Sequence, residues 1–182
     1  MTDTPTPVTP VTPQITSLRI LVGILSAGLV MFGIVLSFIL ANSDYPPIWV
    51  AWGLGGLAVV SHLLCRTVGF NLKAVPAGTP PAEAMAMAGA VFQASTVLRF
   101  ALSESVAIIA LVLSFVVLPA TWMTYLIGGV LALVLMGVNV WPGAAVIRRA
   151  EQQLDRDGGQ SYLNDALLGL APGTTASGVI RS

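Results

Sequence analysis

Residues 98–118 read LRFALSESVAIIALVLSFVVL, an apolar run that contains a single acid, Glu104. About 20 apolar residues are enough for a helix to cross the hydrocarbon core of a bilayer, so this run predicts a transmembrane helix. A charged side chain inside that core costs about 2.5–3.5 kcal/mol on insertion scales, and it is a functional hypothesis by default. Glu104 is therefore the first residue of this chain that requires an explanation.

The composition of the whole chain is typical of a membrane protein. Of the 182 residues, 55% are hydrophobic and 9% are charged, whereas soluble domains carry about 25% charged residues. Eight basic residues balance eight acidic ones, which gives no electrostatic basis for binding nucleic acid. One cysteine and one histidine exclude an intrachain disulfide and a cluster of Cys or His ligands. We expect no metal, no cofactor and no enzymatic activity, because no nucleophile with its base can be assembled.

Three further apolar segments accompany the first one, at residues 20–41, 47–65 and about 121–146. Each is long enough for a transmembrane helix. The segment at 20–41 is too long for the core of a signal peptide and no cleavage signature follows it, so we expect it to be retained. The sequence thus predicts an all-α integral membrane protein, a bundle of four helices.

The basic residues fall on one side of these spans. Arg19 precedes the first span, Arg66 and Lys73 follow the second, and Arg99 opens the third. Arg148, Arg149 and Arg156 follow the fourth. The opposite loops, at 42–46 and around 119–121, contain no Lys or Arg. The positive-inside rule then places both termini and the middle loop in the cytoplasm. We expect a multi-pass protein of a bacterial plasma (inner) membrane.

The segments outside the spans are short. Residues 1–17 are rich in Thr and Pro and are expected to be disordered. Residues 82–99 either extend the third helix beyond the membrane or lie along its surface. The predicted units are a disordered N-terminus (residues 1–17), a first transmembrane hairpin (18–70), a cytoplasmic linker (71–81), a second hairpin with cytoplasmic helix extensions (82–157) and a C-terminal tail (158–182).

The two predicted hairpins share a pattern that indicates an internal duplication. Four residues of the first hairpin recur without a gap, since Pro46, Trp49, Gly55 and Gly56 correspond to Pro119, Trp122, Gly128 and Gly129. Both hairpins begin on the same side, so the repeats would be parallel rather than inverted. Glycines let membrane helices approach closely. We expect helix packing, within the bundle or between copies, at Gly53, Gly55, Gly56, Gly128 and Gly129.

The depth of Glu104 indicates which residues it can meet. If Arg99 lies at the inner interface, where a long side chain can reach water, Glu104 lies about 7 Å deeper. His62, on the antiparallel second span and four residues before Arg66, has a similar depth. One interpretation is therefore a structural clasp, in which Glu104 contacts His62 or Arg66 on another helix, with Arg99 as a further polar contact. Alternatively, Glu104 is hydrated near the headgroups.

A second interpretation makes Glu104 a reversible site for a proton or a cation. Ser103, Ser105 and His62 would be its neighbours, and an intramembrane acid of this kind commonly marks an ion pathway.

Two resemblances bear on this choice. Residues 104–115, ESVAIIALVLSF, resemble the ion-binding helix of the proteolipid c subunit of rotary ATPases, where a carboxylate precedes a similar run. That resemblance implies a homo-oligomer in which Glu104 is the ion site. The chain also resembles small bacterial multi-pass membrane proteins of unknown function, which carry an Arg-Leu-Ala-Leu-Ala-Glu-like segment in a third helix, here Arg99–Glu104. That closer resemblance implies a fold and no activity.

We therefore expect a non-enzymatic membrane protein that acts as an accessory or assembly subunit, through helix–helix and cytoplasmic contacts. Its partners would be the lipid bilayer and other membrane subunits or copies of itself. The alternative is a c-subunit-like protein that carries protons or cations in a homo-oligomer.

Overall fold

The computed structural model describes residues 14–40 and 44–174, and it is all-helical, with no strand in that part of the chain. A π-helical segment continues the second helix (the first π-helix, Cys65–Gly69) and another continues the fourth (the second π-helix, Met136–Val140). The α-helices are α1 (Gln14–Ile39), α2 (Ile48–Leu64), α3 (Pro81–Val116), α4 (Trp122–Leu135), α5 (Ala144–Leu154) and α6 (Leu163–Leu168).

Four helical segments are long and apolar enough to cross a membrane: Ile15–Ile39, Ile48–Gly69, Pro81–Val116 and Trp122–Val140. This confirms the prediction of an all-α, multi-pass membrane protein. The fourth segment ends at Val140 rather than near residue 146, because the chain leaves the helix around Pro142, which has no backbone N–H to donate.

The predicted boundaries at the two ends of the chain are met only in part. Gln14–Ser17, expected to be disordered, form the first turn of α1. Residues 1–13 of that N-terminal unit and residues 175–182 of the tail lie outside the described residues. Within the described part of the tail, residues Leu163–Leu168 form the short helix α6.

The bundle is built around α3, which packs against α4 and α2. Its closest approach to α4 is at Gly128, where an added Cβ would collide with the Cβ of Ala110 and lie 3.2 Å from the carbonyl oxygen of Val106. In the described residues α1 packs mainly against α4 and α6 rather than against α2. The second pair of long helices is thus a packed hairpin, whereas α1 and α2 lie apart.

Tyr125 of α4 fixes the position of α1. Its hydroxyl donates a hydrogen bond of 2.8 Å to the carbonyl oxygen of Leu29, and its ring lies 3.4 Å from the place that a Cβ on Gly33 would take. A polar group in an apolar bundle needs such a partner, because an unpaired one costs free energy on burial.

The basic end of the bundle, where α1 begins and α2 and α4 end, carries a second hydrophobic core. The first half of α3 continues into it without a break, so residues 82–99 extend the third helix. Apolar side chains of this half of α3, the linker, α5 and α6 bury one another there, including Val75, Phe92, Leu154, Leu163 and Leu167.

Backbone contacts join the linker to the end of α5 and to the start of the tail. The amide of Val75 donates a 2.8 Å hydrogen bond to the carbonyl oxygen of Leu154. A Cβ at Gly159 would collide with the carbonyl oxygen of Val75, so only glycine fits at that position.

Glu151 joins α5 to α6, since its Oε1 accepts a 3.0 Å hydrogen bond from the amide of Asn164. Burial raises the pKa of this carboxyl above its usual range, and the nearby Asp155 and Asp165 act in the same direction, while the Asn164 amide opposes them. The charged form of Glu151 therefore depends on that amide for its stabilisation.

The close approach of α3 and α4 predicts the effect of enlarging Gly128. We expect Gly128→Ala to destabilise the protein by about 1–3 kcal/mol, because the added methyl overpacks the contact with Ala110. The free energy of unfolding in mixed detergent micelles, followed by circular dichroism, measures this. Gly23→Ala is the matched control, since no described atom lies within 4 Å of its Cβ position. Equal stabilities of the two variants would contradict the packing described for α3 and α4.

Candidate functional site

Arg99 of α3 is 0% exposed, and it is the largest of the fully buried side chains among the described residues. The expectation that its side chain reaches water at the interface is wrong. The guanidinium instead turns into the bundle, where it meets the ends of α2 and α4. A buried arginine is rare because its charge is costly to remove from water.

Three hydrogen bonds hold the guanidinium of Arg99. Its Nε donates to the carbonyl oxygen of Ser95 at 3.2 Å, and its Nη2 donates to the hydroxyl of Thr96 at 3.1 Å, both within α3. Its Nη1 donates to the carbonyl oxygen of Asn139 at 2.8 Å, in the second π-helix. The last bond crosses from α3 to the end of the fourth span.

Aromatic rings cover the same guanidinium. The Cζ of Arg99 lies 4.2 Å from the ring centroid of Phe70 and 5.6 Å from that of Phe92, within the range of a cation–π interaction. A Cβ on Gly69 would lie only 2.5 Å from the Cγ of Arg99, so the glycine makes room for the arginine stem. In the described part of the chain the one ion pair joins Arg156 to Asp157, so Arg99 has no carboxylate partner there.

The two π-helices end against one face of α3. The carbonyl groups of the last helical turn have no intrahelical donor. Ser95 and Arg99, four residues apart on α3, supply donors to both ends. The Ser95 hydroxyl donates a 2.6 Å bond to the carbonyl oxygen of Gly69, and Arg99 donates to that of Asn139. The partial negative charge at a helix C-terminus also stabilises the arginine.

His62 belongs to the same polar network. The Nδ2 of Asn139 lies 3.2 Å from Nδ1 of His62 and also donates to the carbonyl oxygen of Leu135 at 3.1 Å. The neutral imidazole can accept this bond at Nδ1 when its proton is on Nε2. His62, Asn139 and Arg99 therefore connect α2, the second π-helix and α3.

The expected contact from Glu104 to His62 or Arg66 is not made. Glu104 lines an otherwise mostly apolar groove of about 330 Å³ between α1, α3 and Tyr125. It makes no hydrogen bond or ion pair with the residues that the structure describes. Arg99 faces the second π-helix, and five residues of α-helix turn Glu104 by about 140° away from that direction. His62 meets Asn139 instead, and Arg66 is exposed.

The two serines beside Glu104 are engaged with the backbone of their own helix. The hydroxyl of Ser103 donates to the carbonyl oxygen of Arg99 at 2.9 Å, and that of Ser105 donates to the carbonyl oxygen of Leu102 at 2.8 Å. The structure therefore does not assemble Glu104, Ser103, Ser105 and His62 into one ligand set.

The glycines differ between the two halves of the chain. Gly128 is in close contact with α3, and a Cβ on Gly129 would lie 3.4 Å from the ring of Tyr125. In contrast, no described atom lies within 4 Å of the Cβ position of Gly53, Gly55 or Gly56. The glycines of α2 therefore pack against no other element in the part of the chain that the structure describes.

A cavity of about 290 Å³, here called the basic cavity, opens beside the buried arginine. The guanidinium carbon of Arg149, from α5, lies 4.7 Å from the ring centroid of Phe70, which Arg99 also contacts. The basic cavity is lined by His62, Arg66, Phe70, Val138, Asn139, Ala145, Val146 and Arg149.

Sequence reasoning identified Arg99 and His62 as polar contacts but not their common partner, Asn139. Its position as a polar residue inside an apolar span is the signal that could have found it. The roles of Gly69 and Phe70 follow from the π-helical end of α2, which no periodicity predicts. Comparison with family models, curated proteins and solved structures finds no match to this chain. Its function is therefore argued from the geometry.

The buried network predicts a large effect of removing Arg99. We expect Arg99→Ala to cost about 3–5 kcal/mol, because it leaves a cavity and unpaired acceptors. Arg99→Lys should cost less but still about 1–3 kcal/mol, since a lysine lacks the planar fork of donors. Unfolding in mixed micelles measures both losses.

Arg148→Ala is the control for these arginine variants, because Arg148 is exposed on α5. It should change stability by no more than about 0.5 kcal/mol. An Arg99→Ala protein as stable as the Arg148→Ala control would contradict the structural role of the buried guanidinium.

Proposed function

We propose that this chain is a non-enzymatic accessory or assembly subunit, which binds another membrane protein through its helices. The observation that supports this most directly is the outward face of α2. Gly53 and Gly56 are exposed there and have no described neighbour at their Cβ positions. Small residues of this kind are typical of close contacts between membrane helices.

Gly53 and Gly56 lower the stability of α2 unless another helix packs on them. The buried side of α2, formed by Val50, Leu54 and Ala58, faces the rest of the bundle. Gly53 and Gly56 point away from it. A glycine inside a helix costs about 0.5–1 kcal/mol relative to alanine. Close approach of a partner helix would offset that cost, whereas lipid tails gain nothing from the missing side chains.

The single histidine and the single cysteine both have structural partners, which also supports a role other than catalysis. His62 is bonded to Asn139. Cys65 is 0% exposed, and its Sγ lies 3.6 Å from the carbonyl oxygen of Arg99.

We also propose that the protein lies in the plasma (inner) membrane with both termini in the cytoplasm. Its support is the distribution of charge, because the basic end of the bundle carries Arg19, Arg66, Arg148 and Arg149 near the ends of the spans. Cytoplasmic loops are enriched in such residues. We also propose that the two halves arose by duplication. The π-helices that end both α2 and α4 support this origin.

Purification of the full chain in a mild detergent tests the subunit role. We expect one defined larger membrane protein to co-purify in fixed stoichiometry, measured by native mass spectrometry. The double substitution Gly53→Leu and Gly56→Leu should remove that partner without lowering the unfolding temperature, because the new side chains block the close approach.

Gly23→Leu is the control, since Gly23 on α1 also has open space at its Cβ position. Retention of the partner by the α2 double variant would contradict the proposed face. Recovery of the wild-type chain as a homogeneous ring of copies would contradict the subunit role itself.

A second candidate function is proton carriage by Glu104. The observation that favours it is a partly buried carboxylate in a mostly apolar groove, with no ion pair to a described residue. Because the described residues hold no group of three His, Cys, Asp or Glu side chains that could bind a metal ion, a proton suits this site better than a metal cation.

Flux measurements in reconstituted vesicles separate the two candidates. Proton carriage predicts that Glu104→Gln abolishes proton flux, because a glutamine amide does not ionise and therefore cannot release and rebind a proton as a carboxyl group does. Glu83→Gln, at an exposed position in the first turn of the same helix, should leave the flux unchanged. Equal flux in the wild-type and Glu104→Gln proteins would exclude this candidate.

A further inference from the structure

We propose that the basic cavity binds an anion that bears a phosphate group, at the level where the apolar spans end. Two of its lining residues, Phe70 and Asn139, directly contact the buried Arg99. The first and second π-helices end at Gly69 and Val140, immediately beside it. The cavity therefore lies beside the ends of the second and fourth apolar spans, where a lipid headgroup or a soluble anion would have access to it.

The charge around Phe70 is not neutralised by the described part of the chain. Arg99 and Arg149 contact the same ring, at 4.2 and 4.7 Å, and Arg66 lines the cavity. No Asp or Glu is among the lining residues. Two arginines held near one ring repel each other, so a bound anion would offset the repulsion as well as supply a hydrogen-bond acceptor.

The arginines of the cavity have donors to spare. Arg66 is exposed and makes no hydrogen bond or ion pair with any described residue, so its side chain can turn towards a ligand. Arg149 is held over the Phe70 ring. A planar guanidinium presents paired donors that match the oxygens of a phosphate. An anion with several oxygens would therefore engage both side chains.

The start of α5 adds a further attraction for an anion. Ala145 and Val146, in its first turn, line the cavity. Amides of a first turn have no acceptor within their helix, and the helix dipole favours negative charge at that end. No side chain caps this N-terminus, where Gly143 is the N-cap residue.

The rest of the lining is compatible with a lipid as well as with a free anion. Val138 and Val146 give part of the wall an apolar surface. The first carbons of a lipid acyl chain could pack there. A phospholipid headgroup and inorganic phosphate share the recognised chemistry. The cavity is formed by this chain alone, so binding here does not depend on the proposed subunit role.

Binding is tested on the full chain, purified in a neutral maltoside detergent and stripped of lipid. It is titrated separately with phosphatidylglycerol, with diacylglycerol of the same acyl chains, and with inorganic phosphate. Native mass spectrometry counts bound lipid, and the unfolding temperature reports both lipid and phosphate. We expect saturable stabilisation by a phosphate-bearing ligand and none by diacylglycerol.

The arginine variants locate the site. Arg66→Gln with Arg149→Gln should weaken binding by about tenfold or more, as expected for the loss of charge-assisted hydrogen bonds. Arg148→Gln removes the same charge from the neighbouring, exposed position and should leave binding unchanged. If the double variant does not fold, Arg66→Gln alone serves, since Arg66 has no partner in the described structure.

The outcomes distinguish the two sources of phosphate. Saturation by phosphatidylglycerol without an effect of inorganic phosphate identifies a lipid headgroup, whereas saturation by inorganic phosphate alone identifies a free anion. Either result supports the proposal when it is lost in the arginine variants. Equal binding of diacylglycerol, equal weakening by Arg148→Gln, or no saturable binding of either phosphate ligand would overturn it.

Discussion

The guanidinium of Arg99 is the constraint on which the basic end of this bundle depends. A fully buried cation must have acceptors, and among the described residues no carboxylate provides them. Two acceptors, the Ser95 carbonyl and the Thr96 hydroxyl, come from α3 itself, and the third comes from a helix terminus, because the last carbonyl groups of a helix lack donors of their own. Asn139 supplies such a carbonyl, and Gly69 provides the space for the arginine stem. The ends of α2 and α4 are thus both fixed against α3.

The same arrangement separates the two polar features of the chain. Arg99 faces the basic end of the bundle, where Arg66 and Arg149 add further positive charge around Phe70. Glu104 lies on another side of α3, in the groove next to α1. Glu104 forms no ion pair with these arginines in the described structure. The proposed anion site and the second candidate function both depend on that separation.

The glycines show how one pattern can serve two purposes. Gly128 allows α4 to approach α3 until only glycine fits. Gly55 and Gly56, which precede Gly128 and Gly129 in the repeated pattern, have open space at their Cβ positions. The difference arises because α2 lies apart from α1, whereas α4 packs along α3. The glycine pair of α4 is therefore used for packing inside the chain, whereas that of α2 meets no neighbour among the described residues.

The sequence by itself determined the class of fold, because apolar runs of sufficient length have one stable form in a bilayer, a helix that satisfies its own backbone. It also identified Glu104, Arg99 and His62 as the polar residues of the spans. It did not determine their partners, since rotation about each helix axis and the π-helical ends decide which side chains meet. Only the tertiary structure pairs Arg99 with Asn139 and leaves Glu104 without a hydrogen bond or ion pair to any described residue. The reason is physical. Hydrophobicity is a property of successive residues along the chain, whereas a hydrogen bond between helices depends on which residues the packing of those helices brings together.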